Sequence, residues 1–154
     1  MSGVTVNQPY PPNWEGFVGV VQDFQSTMPT PIVYKIVGFD AIALEDVTQG
    51  DALYARASDG KLGKAIANDT ADKATVAGLA ETTKSAGQVV RAIVRGVTAT
   101  SGLNPGNFYY LSSSSAGAIT DTAPTTAGHY QTVIGEAGTA AQLVVKIEPP
   151  ILLT

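Results

Sequence analysis

Alternating apolar and polar positions recur in short runs along the chain and predict β-strands. In the run 88–95, one apolar set alternates with a second set that contains both Arg91 and Arg95. Successive strand residues point to opposite faces, so this alternation predicts one strand with both arginines on the same face. A solvated strand face is the first interpretation of that pattern, and a specific acidic partner for the arginines is the second.

Strand signals of this kind begin at Ile32 and continue to the end of the chain. β-Branched and aromatic residues form short runs, and turn residues such as Asp59-Gly60 and Asn104-Pro105-Gly106 separate them. The runs that predict strands are 32–37, 51–58, 61–68, 75–80, 88–95, 108–111, 133–135 and 142–147. Helix signals are weak and allow one turn at most, so the sequence predicts an all-β fold.

Two stretches of the chain, about 45–95 and 101–148, share one order of turns, glycines and apolar residues. Gly50 in the first stretch matches Gly106, 56 positions later. The runs 88–93 and 142–147 match at a distance of 54 positions, and loop insertions or deletions account for the drift. One apolar face per unit predicts a small β-sandwich or partly closed barrel built from two similar four-stranded units.

Gly78 and Gly135 occupy matching places inside predicted strands, 57 positions apart. Glycine gives a strand no side chain to pack, and it commonly marks a bulge or a close approach of another backbone. We therefore expect one of these two features at each position.

The first 31 residues have a different composition and predict an extended N-terminal arm, followed by a β domain over 32–154. Five of the nine prolines fall in this arm, and proline favours extended geometry. Its large apolar side chains are unusual for a free disordered tail. The arm either packs on its own domain or lies across a neighbouring subunit. Its candidate partner-binding residues are Tyr10, Trp14, Phe17 and Phe24.

The composition is poor in charge, with 14% charged and 44% hydrophobic residues and a net charge of −4. So few charges suggest that partners or further copies cover part of the surface. The acidic balance argues against nucleic acid as a partner, which calls for a basic footprint. No apolar run is long enough to span a membrane, and we expect no membrane partner.

Residue types that carry chemistry are scarce, so we expect no enzyme, cofactor or metal site. The chain has no cysteine and one histidine, His129, which cannot form a usual zinc site alone. The serines of 112–115 have no neighbouring base, and the carboxylates are scattered. The sequence contains neither a Walker A loop nor a dinucleotide-binding fingerprint.

The second stretch carries the most recognisable motifs of the chain. They are Leu103-Asn104-Pro105-Gly106, Tyr109-Tyr110-Leu111-Ser112, Gly117-Ala118-Ile119-Thr120 and Ile134-Gly135-Glu136-Ala137. The first stretch adds Val47-Thr48-Gln49-Gly50-Asp51 and Gly78-Leu79-Ala80. Over about residues 45–148, the chain resembles a β module of tailed-bacteriophage virion proteins, among them capsid decoration (cement) proteins and tail-fibre segments.

This resemblance implies a structural protein on the capsid surface of a virion, with the major capsid protein as its partner. It implies a homo-oligomer, a trimer in preference to a dimer, that clamps neighbouring capsid subunits. It transfers no catalytic residue. The alternative is a tail or fibre component, or a module that binds glycans on the host surface. An exposed cluster of Phe108, Tyr109 and Tyr110 would favour glycan binding, whereas buried rings would favour the cement role.

Overall fold

The computed structural model of the protein describes residues 35–154. Their strands are β1 (Val37–Ile42), β2 (Ala52–Ala55), β3 (Leu62–Lys64), β4 (Gly78–Ala80), β5 (Val89–Ala99), β6 (Phe108–Leu111), β7 (Ile119–Thr120), β8 (Tyr130–Gln131), β9 (Val133–Thr139), β10 (Gln142–Lys146) and β11 (Ile151–Leu152). One helical turn, α1 (Ala71–Ala74), lies between β3 and β4. The predicted all-β fold class is confirmed. The predicted arm, 1–31, lies outside the described residues.

Strand pairing in the main sheet follows the same scheme twice. β2 pairs with β3 and β4, and β4 pairs with β5; β6 pairs with β7 and β9, and β9 pairs with β10. Even the register repeats, because Leu53 lies opposite Gly78 and Tyr109 lies opposite Gly135. Pairing of β5 with β10 joins the two halves into one curled antiparallel half-barrel. The prediction of a partly closed barrel from two similar four-stranded units therefore holds.

The sequence alignment of the last strand in each unit is wrong by three positions. Leu79 of β4 lies opposite Ile93, whereas Glu136, its equivalent in β9, lies opposite Val144. Ile93 therefore corresponds to Val144, 51 positions later, and not to the residue 54 positions later. A shift by an odd number of residues exchanges the two faces of a strand, so the two alignments assign the matched residues to opposite faces.

β5 has one partner along one edge and two partners along the other. Arg95 pairs with Lys146 of β10 and with Val37 of β1, so these two strands flank β5 on opposite edges. Ala92 pairs in the same way with β4 and β1. β4 and β10 therefore lie end to end along one edge of β5, and β1 runs along the other.

A one-residue bulge in β5 reverses the direction of its side chains. The β1–β5 register shifts between Gly38 and Val37, which leaves Val94 without an opposite residue on β1. Such an extra residue interrupts the alternation of faces. The burial pattern of β5 is irregular at the same place, because Ile93 is buried and Val94 is exposed. Arg91 and Arg95 therefore lie on opposite faces of β5, which contradicts the prediction of one shared face.

Two apolar clusters lie on opposite faces of the first unit. Ala52 of β2 and Leu79 of β4 belong to the larger cluster, whereas their neighbours Leu53 and Ala80 belong to the smaller one. All four residues are fully buried. Burial of a leucine of this kind stabilises the fold by about 1.5–3 kcal/mol. Strands buried on both faces have no polar positions to alternate, which explains the continuous apolar sequence of β4.

Candidate interaction surface

The residues that the sequence selects for partner binding are not among those described. Tyr10, Trp14, Phe17 and Phe24 all lie outside residues 35–154. Their role stays a prediction.

Side chains that commonly bind metal ions do not cluster in the described part of the chain. No three His, Cys, Asp or Glu side chains within residues 35–154 lie close enough together to hold a metal ion. His129 is half-buried before β8, where its backbone N–H donates to the carbonyl oxygen of Thr126 at 3.1 Å. Ser112 uses its Oγ to accept hydrogen bonds from the N–H groups of Ser114 and Ser115, which is a turn structure.

Within residues 35–154, no helix has the length and apolar composition needed to cross a bilayer.

The aromatic run of β6 does not form an exposed platform. Tyr109 is only 5% exposed, and its hydroxyl oxygen accepts a hydrogen bond from the backbone N–H of Asn104 at 2.9 Å. Tyr110 is half-buried, and Phe108 alone is exposed, at 54%. The alternation of β6 explains the difference, because Tyr109 points into the larger cluster and its two neighbours point away from it.

Several large apolar side chains are exposed elsewhere on the half-barrel. They are Ile36, Val37, Phe39, Val89, Val94, Ile151 and Leu152. Single exposed apolar residues are ordinary on protein surfaces. Ile151 and Leu152 form β11, which pairs with β8 and is more than half exposed.

Arg91 has carboxylate partners within its own fold. Its guanidinium lies 3.6 Å from Asp40 of β1 and 3.4 Å from Glu81, which follows β4. Exposed pairs of this kind contribute little to stability, but they neutralise the charge. The solvated-face interpretation therefore fits Arg91.

Arg95 is in a different electrostatic environment. It lies directly opposite Lys146 on β10, and both residues are exposed. Like charges in directly opposite positions destabilise an antiparallel pair. Among the described residues, neither cation forms an ion pair with a carboxylate. Two cations thus face each other on a protein with a net charge of −4.

These two cations border a groove that opens where β4 and β10 meet along β5. We call it the β4–β10 groove, and its volume is about 470 Å³. Its lining is formed by Thr75, Val76, Ala77, Val94, Arg95, Val145, Lys146, Ile147, Glu148, Pro149 and Pro150. The groove is thus mainly apolar, with both cations and one carboxylate on its lining.

The carboxyl groups with shifted pKa values stabilise turns and lie outside this groove. The pKa of Asp121 is lowered because the side-chain amides of Asn104 and Asn107 donate to its Oδ2, at 2.8 and 3.2 Å. Burial raises the pKa of Asp51, although the N–H of Thr48 donates to this carboxylate and opposes the shift. These groups have structural partners already.

Sequence reasoning does not find the β4–β10 groove. It lies beside the bulge at Val94, where two strands that are distant in sequence meet along β5. The one available signal was Arg95, for which an acidic partner was the second interpretation. No protein-family model and no curated protein matches the chain.

Proposed function

We propose that the chain is a structural virion protein that binds the outside of a phage capsid and reinforces the contacts between major capsid subunits. The proposal starts from the resemblance of residues 45–148 to the β module of phage decoration proteins. In this role, a homo-oligomer of the chain adds buried surface across the seams of the shell and stabilises the assembled state by mass action.

The exposure of the three aromatic rings of β6 is the observation that favours this proposal over glycan binding. A glycan platform needs several neighbouring exposed rings. Tyr109 is instead buried and hydrogen-bonded, and Tyr110 is half-buried. Such rings support the cement role, because they stabilise the half-barrel and are not available to a ligand.

The exposed apolar side chains give independent support. Ile151 and Leu152 are 60% and 52% exposed, and Val89 is 54% exposed. These side chains add little to the stability of the isolated domain but would be buried in a larger assembly. A protein that clamps subunits needs an adhesive surface of this kind.

The test is to add the purified full chain to capsids that lack it and to image the particles. We expect density for the chain on the outside, at seams between capsid subunits. We also expect the decorated particles to withstand a higher temperature than the bare ones before they release DNA. Density at the tail only, or no binding, would contradict the proposal.

A glycan array with the same preparation tests the alternative. Phe108 is 54% exposed and is the ring that a glycan would contact. If the chain binds a glycan, and Phe108→Ala abolishes that binding, the tail or host-surface role replaces the cement role. We expect no glycan binding.

A further inference from the structure

We propose that the β4–β10 groove binds an extended acidic segment of the protein to which the chain attaches. This inference rests on the proposed attachment function. It identifies the surface that makes the contact and the chemistry of the partner segment.

The shape and lining of the groove suit an extended segment with apolar side chains. Val76, Val145 and Val94 belong to the apolar lining and are 7%, 1% and 36% exposed. A volume of about 470 Å³ lies within the range of 300–1,000 Å³ that is typical of ligand pockets. Alternate side chains of a strand-like peptide would enter the groove, as in other modes of extended-peptide recognition.

The charges on the lining determine the sign of the partner. Arg95 and Lys146 lie opposite each other and have no carboxylate partner among the described residues. An acidic side chain placed between them would relieve their mutual repulsion and gain two charge-assisted contacts. Glu148 also lines the groove and opposes an acidic partner. The acidic side chain is therefore expected at the end formed by Arg95 and Lys146.

One wall of the groove favours side-chain contacts over strand pairing. Pro149 and Pro150 lie on this wall, and proline has no backbone N–H to donate. A bound segment cannot extend the sheet through these residues. Its affinity then depends on the apolar lining and the two cations, and the cations make binding sensitive to salt.

The first experiment uses a defined probe, a fluorescent eight-residue peptide of alternating Glu and Val, with the full chain. The Arg95→Glu, Lys146→Glu double variant is expected to bind it at least about tenfold more weakly than the natural chain. A peptide of alternating Gln and Val should show a similar loss on the natural chain. Glu148→Gln should tighten binding of the acidic peptide by about two- to threefold, because it removes a like charge.

The matched control is the Lys61→Glu, Lys73→Glu double variant. It changes the net charge by the same amount, but both cations lie outside the groove and form exposed ion pairs with Asp59 and Asp69. We expect it to bind the acidic peptide within about twofold of the natural chain, since distant exposed charges are screened. An equal loss in both double variants, or no loss in the groove variant, would overturn the inference. Arg95→Gln, Lys146→Gln serves as a milder variant if charge reversal impairs folding.

The second experiment measures attachment of the same variants to capsids that lack the chain. The groove variant is expected to attach at least about tenfold more weakly than the control variant. If the natural chain and the groove variant attach equally well, the inference fails and the proposed function stands. If no variant attaches but the acidic peptide still binds through Arg95 and Lys146, the proposed function fails and the groove remains an acidic-peptide site. Competition by millimolar inorganic phosphate that abolishes peptide binding would identify a small-anion site and overturn the peptide inference.

Discussion

At Gly135 a side chain would meet backbone. A Cβ added there would overlap the carbonyl oxygen of Val144 on the neighbouring strand. At Gly78, the matching glycine of the first unit, a Cβ would lie 2.8 Å from the Cβ of Ala92 and 3.0 Å from the carbonyl oxygen of Ile93. Of the two features expected at these glycines, a bulge or a close backbone approach, the close approach is present at both. The reason is steric, since the backbone at each glycine lies very close to atoms of a neighbouring strand.

Replacing Gly135 by alanine is therefore expected to destabilise the fold strongly. Backbone atoms of β10 cannot move aside without breaking the ladder, so we expect a loss of about 2–3 kcal/mol in the free energy of unfolding. Urea denaturation followed by circular dichroism measures it. Gly138→Ala, in the same strand, is the control, because its nearest neighbour would be Val144 Cγ2 at 3.6 Å. It should change stability by less than about 0.5 kcal/mol, and equal losses in both variants would contradict the steric explanation.

Among the elements, the hairpin of β2 and β3 was the most readily predicted. Asp59-Gly60 indicates its turn, and Gly60 has a positive φ of 74° there. The N–H of Gly60 donates to the carbonyl oxygen of Arg56 at 2.7 Å. Local sequence fixes this element because the turn geometry and the residues that tolerate it are adjacent. β7 and β8 were missed, because a strand of two residues has no periodicity to detect.

The same turn lowers the pKa of Asp59 to about 2. The first cause is the guanidinium of Arg56, which donates to both carboxylate oxygens at 3.0 and 2.5 Å, and the N–H of Lys61 adds a hydrogen bond at 3.2 Å. Because the pKa of Asp59 is lowered in the folded state, its carboxylate stabilises the hairpin at pH values above the ordinary aspartate pKa of 3.8. That contribution is lost as the pH falls from there to about 2.

Arg56→Gln is expected to raise the pKa of Asp59 towards 3.8. Carbon-detected NMR of the Asp59 carboxyl group as a function of pH gives this value directly. Lys61→Gln is the control, because it retains the backbone N–H and removes only a cation 3.9 Å away. It should move the titration less than Arg56→Gln does. If Asp59 titrates near 3.8 in the natural chain, Arg56 does not lower its pKa in this turn.

At the scale of the whole molecule, the half-barrel is built on contacts that are distant in sequence. β5 joins the two units, and its partners β1, β4 and β10 come from both ends of the described chain. The two apolar clusters, with the residues packed against them, extend from Ala41 to Ile147. The part of the chain that forms them falls within the predicted β domain, 32–154.

Because residues 1–31 are predicted to form an arm outside the β domain, we expect their deletion to leave that domain folded but to weaken its attachment to the assembly. Circular dichroism and thermal unfolding test the first part, and binding to bare capsids tests the second. The Trp14→Ala variant of the full chain, alone and with Phe17→Ala, is the milder comparison and should weaken attachment in the same direction. A truncated chain that fails to fold would mean that the arm belongs to the core.

The sequence by itself determined the all-β class, the main turns, the two similar units and the special place of Gly78 and Gly135. These features depend on residues that are close together in the chain, or on glycine, whose missing side chain is visible in any sequence. Only the tertiary structure decided the register between distant strands and the bulge at Val94. A one-residue change in register leaves the local sequence pattern unchanged but moves a side chain to the other face of the sheet. For that reason, the sequence placed Arg91 and Arg95 together, and only the structure separates Arg91, paired with Asp40 and Glu81, from Arg95 at the β4–β10 groove.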